Sequence, residues 1–310
     1  QTGKGVSDFH TGDRVVSNGN HAEYVVVNQN LCTRIPDNTD IKEASFTVLG
    51  SIALHGLRLS ETSLGSKVVV IGLGIIGQLV CRLAEAQGSE VIGIDPDTKR
   101  TDLSANFYTS VEEANMTNVD SVIITAATSS NEPIEVATKI ARNKAKIVVV
   151  GDIPLNISRN DFYYKELELV VSKSYGPGRY DKQYEILGKD YPIEYVRWTE
   201  NRNFEAFIKL LSQNQIHLLD LVTEEVSFEN APSIYKKFSG EDKPLSIVLR
   251  YDNKSEPKID LQMTVELEPK TEKVNLGILG AGNFASTTIL PILKELTKDC
   301  QVLGIASSTG

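Results

Sequence analysis

Cysteine is scarce in this chain: Cys32, Cys81 and Cys300 are the only three in 310 residues. They are odd in number, far apart, and form no C-x-x-C pair. That argues against a disulfide framework or a cysteine-rich zinc knot, and fits thiols used as small apolar residues in a reduced, cytoplasmic compartment. Long apolar runs are also missing; none reaches the roughly 18 residues needed to span a bilayer. No basic run stands out. Lys and Arg number 32 against 41 Asp and Glu, a formal net charge of −9. Nucleic acid and anionic membrane both need clustered positive charge, so neither is expected as a main partner. There is no signal-peptide pattern and no initiator Met.

What is present is ordinary globular composition, 41% hydrophobic and 24% charged, at a length that allows two domains. Short Val-rich runs at Arg14–Val16 and Tyr24–Val27 between Gly/Asn turn signals predict strands. Residues 40–60 have helical spacing. Ser66 to Asp95 alternates strand, helix and strand, and further strands are predicted at Ser121–Thr125, Lys146–Val150 and Leu167–Ser172, with a helix over Glu132–Arg142. Continuous apolar strands alternating with helices predict a doubly wound parallel α/β sheet. After Tyr175 the chain turns rich in Tyr, Gly and charge (SYGPGRYDKQYEILGKDYPIEYVRWTENRN). A helix from Asn203 to about Gln213 and a strand–helix–strand ending in SIVLRY follow.

Gly72, Gly74 and Gly77 form G-x-G-x-x-G between an apolar strand and an amphipathic helix. The first glycine permits the tight turn, the second lets a pyrophosphate approach the backbone, and the third lets helix pack on sheet. The helix N-terminus then offers free N–H groups to phosphate. The loop residues Leu73, Ile75 and Ile76 belong to the same cofactor-binding turn. Asp95 ends the next strand, eighteen residues after Gly77. A carboxylate there accepts hydrogen bonds from the adenosine ribose and repels a 2′-phosphate, so NAD is the expected cofactor in preference to NADP. Arg100 is a candidate to flank the adenine or a solvated helix residue. Ligands sit at the carboxyl ends of parallel strands. Thr125–Ala126, Val150–Gly151–Asp152 and Ser174–Tyr175 should therefore face the nicotinamide.

Four segments, TGDRVVSNGNHAEYVVV, LGSKVVVIGLGIIGQLVCRLAEAQGSEVIGID, KIVVVGDI and LVTEEVSFENAPSIYKKFSG…SIVLRY, occur in the order found in the medium-chain dehydrogenase/reductase family, which the chain resembles over about residues 10–252. The resemblance implies a GroES-like, β-rich catalytic domain wrapped around an inserted Rossmann domain. Its parts would be residues 1–57 as the end of the first half, 58–202 as the NAD-binding domain with the Tyr-rich tract, and 203–252 as the return. It also implies departures. Only SNGNH separates Val16 from Ala22, where zinc-containing members carry four cysteines, and the third catalytic-zinc ligand would fall at Val48 or Leu49, which cannot bind metal. A zinc-lacking member with no metal is expected. His55 is either a lining of the nicotinamide side or a satisfied helix histidine.

Residues 252–273, charged and holding Pro257 and Pro269, predict a linker (253–272). KVVVIGLGIIG then recurs in outline as KVNLGILGAGNFA: Gly280, Gly282 and Ala285, with Asn283 and Phe284, open a second Rossmann unit over 273–310. This tract resembles the glucose–fructose oxidoreductase/inositol dehydrogenase family. The pair resembles a bi-domain oxidoreductase type associated with surface-polysaccharide gene clusters. The chain is expected to be an excerpt of a longer polypeptide, with the exposed face of the second unit favouring a homo-oligomer. The implied activity is zinc-independent hydride transfer between NAD(H) and an alcohol or ketone carbon of a small-molecule sugar substrate. Candidates to polarise the oxygen are Tyr175 and Arg197, with Arg179 and Tyr180 in the same tract. The alternative is a non-catalytic nucleotide-binding or docking module.

Overall fold

The computed structural model describes residues 2–104, 106–237, 243–251, 273–280, 282 and 285–306. The predicted linker over 253–272, Asn283 and Phe284 lie outside them. Two units are distinguished, residues 1–252 and 253–310.

The first unit centres on a six-stranded sheet: β1 (Lys67–Ile71), β2 (Glu90–Ile94), β3 (Phe107–Tyr108), β4 (Val119–Ile124), β5 (Ala141–Val149) and β6 (Glu168–Val171). The spatial order is β3-β2-β1-β4-β5-β6 and every pairing is parallel. This is the Rossmann order, with its switch point between β1 and β4. Val68–Val70 in β1, Val122–Ile124 in β4 and Ile147–Val149 in β5 are almost wholly buried. Helices cover both faces of these strands, which is why they read as continuous rather than alternating apolar runs. Two hydrophobic clusters result, one on each face.

The helix Ile75–Ala86 buries Leu79, Val80, Cys81, Leu83 and Ala84. The segment 40–60, expected as one helix, forms two, Ile41–Ala44 and Thr47–Leu59. Asp40 caps the first through the amides of Lys42 and Glu43 at 2.7 and 3.3 Å. The helix Glu132–Ile140 stops two residues short of the predicted Arg142. Lys165 Nζ donates to the carbonyls of Thr138, Lys139 and Ala141 at 2.8, 2.9 and 2.8 Å, satisfying the helix C-terminus, and the chain runs directly into β5.

The helix Glu200–Ser212 starts three residues before the predicted Asn203, because Thr199 caps it by accepting from Arg202 N. Phe204, Phe207, Ile208 and Leu211 recur at helical spacing and are buried. Burying each phenylalanine contributes about 1.5–3 kcal/mol. Phe207 lies against Gly50 of the helix Thr47–Leu59, where an added Cβ would sit 2.1 Å from the ring. Segments far apart in sequence are thereby packed backbone against ring.

Around this core lie two small strand pairs. Val15–Ser17 pairs antiparallel with Cys32–Arg34, and Glu224–Ser227 pairs parallel with Ile247–Arg250. The predicted strand at Tyr24–Val27 does not form. Among the described residues it pairs with no strand, and Tyr24, Val25 and Val26 are all exposed, so a Val-rich run found no partner strand to make a ladder. The helix Arg159–Lys165 was not foreseen in the sequence.

The second unit pairs strand Val274–Leu279 with Cys300–Ala306 in parallel, with the helix Leu290–Glu295 between them.

Candidate functional site

The glycine turn after β1 has the geometry its spacing demands. Gly72 has φ +95°, and a Cβ on it would lie 2.5 Å from the Ala126 amide nitrogen. A Cβ on Gly77 would lie 1.9 Å from the Gly72 carbonyl oxygen and 2.8 Å from Thr125 Oγ1. Thr125 Oγ1 donates to that same carbonyl at 2.5 Å, so the end of β4 holds the turn in place. Above Gly74 the space is open except for Arg100 Nη1 at 3.7 Å. Gly74 is the N-cap of Ile75–Ala86 and brings no side chain to its first-turn amides, a fit for a pyrophosphate. Ile75 and Ile76 are half-buried in that first turn, and Leu73 is fully buried.

Asp95 is joined directly to the turn. Its Oδ2 accepts from Leu73 N–H at 2.7 Å and lies 3.3 Å from Arg100 Nη1, while Oδ1 accepts from Asp97 N–H at 2.9 Å. Arg100 also pairs with Asp97 at 3.3 Å. A guanidinium is thus fixed between the acid and the glycine loop.

The other predicted strand-end residues gather beside the turn. The amides of Thr125 and Ala126 donate to Ile71 O, and those of Val150 and Gly151 to Ile124 O. A Cβ on Gly151 would lie 2.0 Å from Ala126 O. The Asp152 side chain is exposed while its carbonyl accepts from Thr128 N–H at 3.0 Å. Ser174, at φ +48°, turns the chain out of the region after β6. Val48 and Leu49, at the position of the expected zinc ligand, lie in the helix Thr47–Leu59, with Leu49 packed on the core. Among the described residues no group of three His, Cys, Asp or Glu could hold a metal ion.

The Tyr-rich tract packs against the segment around Asn18–Asn30 and against the helices Thr47–Leu59 and Glu200–Ser212. Tyr175 is buried; its phenol oxygen accepts from Asn18 Nδ2 at 3.1 Å, leaving the phenol proton to donate, and its carbonyl accepts from Asn203 Nδ2 at 3.0 Å. Burial holds the phenol above the ordinary tyrosine range. The Arg179 guanidinium lies 5.0 Å over the Tyr175 ring and 4.2 Å over Tyr180, and pairs with Glu185 at 2.7 Å. Arg197 lies over Trp198 at 3.8 Å. His55 lies beside the tract: a Cβ on Gly176 would sit 3.1 Å from its Nδ1. Burial, aided by Arg58, lowers its pKa.

Three participants escaped the sequence. Asn18 and Asn203, one hundred and more residues apart, hold Tyr175 from both ends, and only the fold brings them there. Glu200 sits at the first position of its helix, where an acid is usually solvated. Here it is wholly buried against the Gly178 turn, its two carboxylate oxygens without hydrogen-bond partners. Burial above all, with Glu185, pushes it up to about 8 against the opposing pull of Arg179 and Lys173.

The second unit repeats the turn on its own terms. Gly280 has φ +88°, its N–H donates to Ala306 O at 2.7 Å, and Ser286 N–H donates to Gly282 O at 3.0 Å. These match Gly72 N–H to Ile94 O at 2.8 Å and Gln78 N–H to Gly74 O at 2.9 Å. Ala285 is buried.

Residues 50–160 match the family model of the D-isomer specific 2-hydroxyacid dehydrogenase NAD-binding domain, which spans the glycine turn, Asp95 and the ends of β4 and β5. Among curated relatives, D-guloside 3-dehydrogenase of Escherichia coli K12 is 25% identical over 261 residues, 77% of this chain and 70% of the relative. The 2-dehydro-3-deoxy-L-galactonate 5-dehydrogenase of Pseudoalteromonas atlantica is 28% identical over 174 residues, covering 50% of this chain and 49% of its own length. Among solved structures, galactitol-1-phosphate dehydrogenase of Escherichia coli superposes with a TM-score of 0.64 at 20% identity, over 80% of each chain. The 2R,3R-butanediol dehydrogenase of Bacillus subtilis gives 0.63 at 19%, over 81% of this chain and 78% of that one. The central domain of this chain is an NAD-binding domain, and the chain carries the fold of the medium-chain, alcohol-dehydrogenase-like dehydrogenases and reductases.

Proposed function

We propose that the chain is the first catalytic half of a bi-domain oxidoreductase that transfers hydride between NAD(H) and an alcohol or ketone carbon of a sugar or sugar derivative. The proposed setting is cytoplasmic surface-polysaccharide metabolism. The observation that carries this reading is the Leu73–Asp95 bond at 2.7 Å, which couples an open pyrophosphate cradle to a ribose-binding carboxylate. The sugar and sugar-acid dehydrogenases named above support the substrate class.

When bound, NAD supplies the two-electron acceptor or donor. The chain's residues do the rest. The Gly72–Gly77 turn binds the pyrophosphate, and Asp95 takes the ribose hydroxyls with Arg100 at the adenosine end. Ala126, Val150, Gly151, Asp152 and Ser174 line the reactive end. The apolar Val48 and Leu49 support a reaction without zinc, in which a hydrogen-bond donor must polarise the substrate oxygen. Tyr175, its proton free to donate, and Arg197 are the candidates. Gly280, Gly282, Asn283, Phe284 and Ala285 would begin a second nucleotide site of glucose–fructose oxidoreductase/inositol dehydrogenase type. Among the described residues β6 is an edge strand of the sheet with Val171 exposed, and Tyr163 and Tyr164 are exposed just before it; this favours association with a second copy of the chain.

The test is a titration with NADH and with NADPH, followed by nucleotide fluorescence, and then a screen of sugar substrates. Micromolar NADH binding with NADPH weaker by about tenfold or more is the expected result; a folded chain that binds neither nucleotide would sink the proposal.

A further inference from the structure

Glu200 is 0% exposed, yet among the described residues neither of its carboxylate oxygens accepts a hydrogen bond. Two other buried acids are engaged: Asp95 accepts from the Leu73 and Asp97 amides, and Glu43 Oε1 accepts from Leu218 N–H at 2.6 Å. The phenols near Glu200 are committed elsewhere. Tyr184 donates to Thr199 Oγ1 at 3.0 Å, and Tyr191 donates to Asp181. A second orphan lies in the same tract. Arg179 Nε is buried and finds no acceptor among the described residues, although Nη1 of the same guanidinium pairs with Glu185 Oε1 at 2.7 Å. Gly178 relates the two. It immediately precedes Arg179, and a Cβ on it would lie 3.1 Å from Glu200 Oε1. A buried acceptor and a buried donor, each unsatisfied and each costing stability, thus share one turn.

The charged and titratable groups that Glu200 faces are few. Arg179 and Lys173 attract its charge, Glu185 repels it, and the phenols of Tyr175, Tyr184 and Tyr191 feel it. At neutral pH the carboxyl keeps its proton, because burial and Glu185 push it up to about 8, and Arg179 stays with Glu185. Loss of that proton leaves a bare charge away from water, which demands a cation or a donor. Lys173 is exposed, so its ammonium is already served by solvent. Arg179 is part-buried and already has an unused N–H. Its guanidinium also lies over the Tyr175 ring at 5.0 Å, so a change of partner is felt at that phenol.

We propose that Glu200 is a proton-controlled positioning residue for Tyr175, acting through Arg179. Neutral, it leaves Arg179 paired with Glu185; ionised, it draws the guanidinium off Glu185 and onto itself. The only bond broken is the carboxyl O–H, whose proton passes to solvent. The role at Tyr175 rests on the reading above, in which that phenol donates to the substrate oxygen. The exchange of partners does not need turnover, and a charge-assisted bond gained by Glu200 replaces the one lost by Glu185.

Two double-mutant cycles test the exchange, read by urea unfolding on the emission of Trp198, the sole tryptophan, which lies in the same tract. One combines Arg179→Gln with Glu185→Gln, the other Arg179→Gln with Glu200→Gln. At pH 6 the first pair should be non-additive in urea midpoint and the second additive; at pH 9.5 the pattern should reverse. A second measurement stands even if Arg179→Gln does not fold. In protein carrying tyrosine labelled with carbon-13 at Cζ, the Tyr175 signal is identified by its loss in Tyr175→Phe. It should shift with a midpoint near pH 8, at lower pH in Glu185→Gln, and not at all over that range in Glu200→Gln. An Arg179–Glu185 coupling that persists at pH 9.5, a flat Tyr175 signal in the parent, or the same shift in Glu200→Gln overturns the proposal. NADH binding, read on the same samples by nucleotide fluorescence, keeps the two readings apart. Binding without exchange keeps the dehydrogenase and removes the switch, whereas exchange without binding keeps the switch and removes the role at Tyr175.

Discussion

The Leu73 amide donates to the Asp95 carboxylate at 2.7 Å, so the residue that selects the ribose is also part of the scaffold of the phosphate turn. Asp95→Ala should therefore do two things. The preference for NADH over NADPH should fall by about tenfold or more as the acceptor for the ribose hydroxyls is lost and Arg100 is freed toward a 2′-phosphate. The fold should lose about 1–3 kcal/mol because the buried Leu73 N–H is left without a partner. Paired nucleotide titrations and urea unfolding measure the two effects separately.

Gly74 and Gly77 should respond differently to the same added methyl. At Gly77 the Cβ meets the Gly72 carbonyl at 1.9 Å, so Gly77→Ala forces the turn open and should cost about 1–3 kcal/mol along with nucleotide binding. At Gly74 the nearest atom is 3.7 Å away. Gly74→Ala should unfold like the parent yet bind NADH far more weakly. Equal thermal shifts in the two variants would contradict this account.

Glu200 predicts a pH dependence of stability. Its folded pKa is raised to about 8, chiefly by burial, so between the ordinary carboxylate range and pH 8 the folded state holds a proton that the unfolded state has released. Stability should fall as pH rises through that window and level off above it. Glu200→Gln should flatten the profile, and near pH 9 should be the more stable form by on the order of 1–3 kcal/mol, since one pKa unit corresponds to about 1.4 kcal/mol. Melting temperatures of both proteins from pH 5 to 9 decide it; parallel profiles would show that the carboxyl is solvated.

Association through the β6 edge should be sensitive to charge. Val171→Lys places an ammonium on an exposed edge strand, a change that blocks strand addition while costing little in the monomer. Light scattering over a range of concentrations should show a lower mass for the variant at unchanged melting temperature.

The parallel sheet could be read in the sequence because buried strands announce themselves as unbroken apolar runs, and the nucleotide turn because three glycines and one acid each have a local reason for their place. Tyr24–Val27 misled because strand propensity needs a partner that sequence does not display. Glu200 and Arg58 were invisible for a related reason. On their own helices they look like solvated charges, and what buries them is the tract from Tyr175 to Trp198 arriving from elsewhere. Long-range polar contacts such as Asn18 with Tyr175 leave no periodic trace.

Gly50 against Phe207 has a consequence in time. The two helices that meet there are separated in the chain by the entire six-stranded sheet. At about 5–20 residues per second of synthesis, the earlier helix waits roughly 7–30 s for its partner to emerge. Until then its apolar face has only the growing sheet to cover it. The sheet can begin to assemble on the ribosome, but the segments flanking it close last. Such late closure makes folding slow, and a Gly50 or Phe207 substitution should lower the yield of folded chain in cells more than its effect on purified protein suggests.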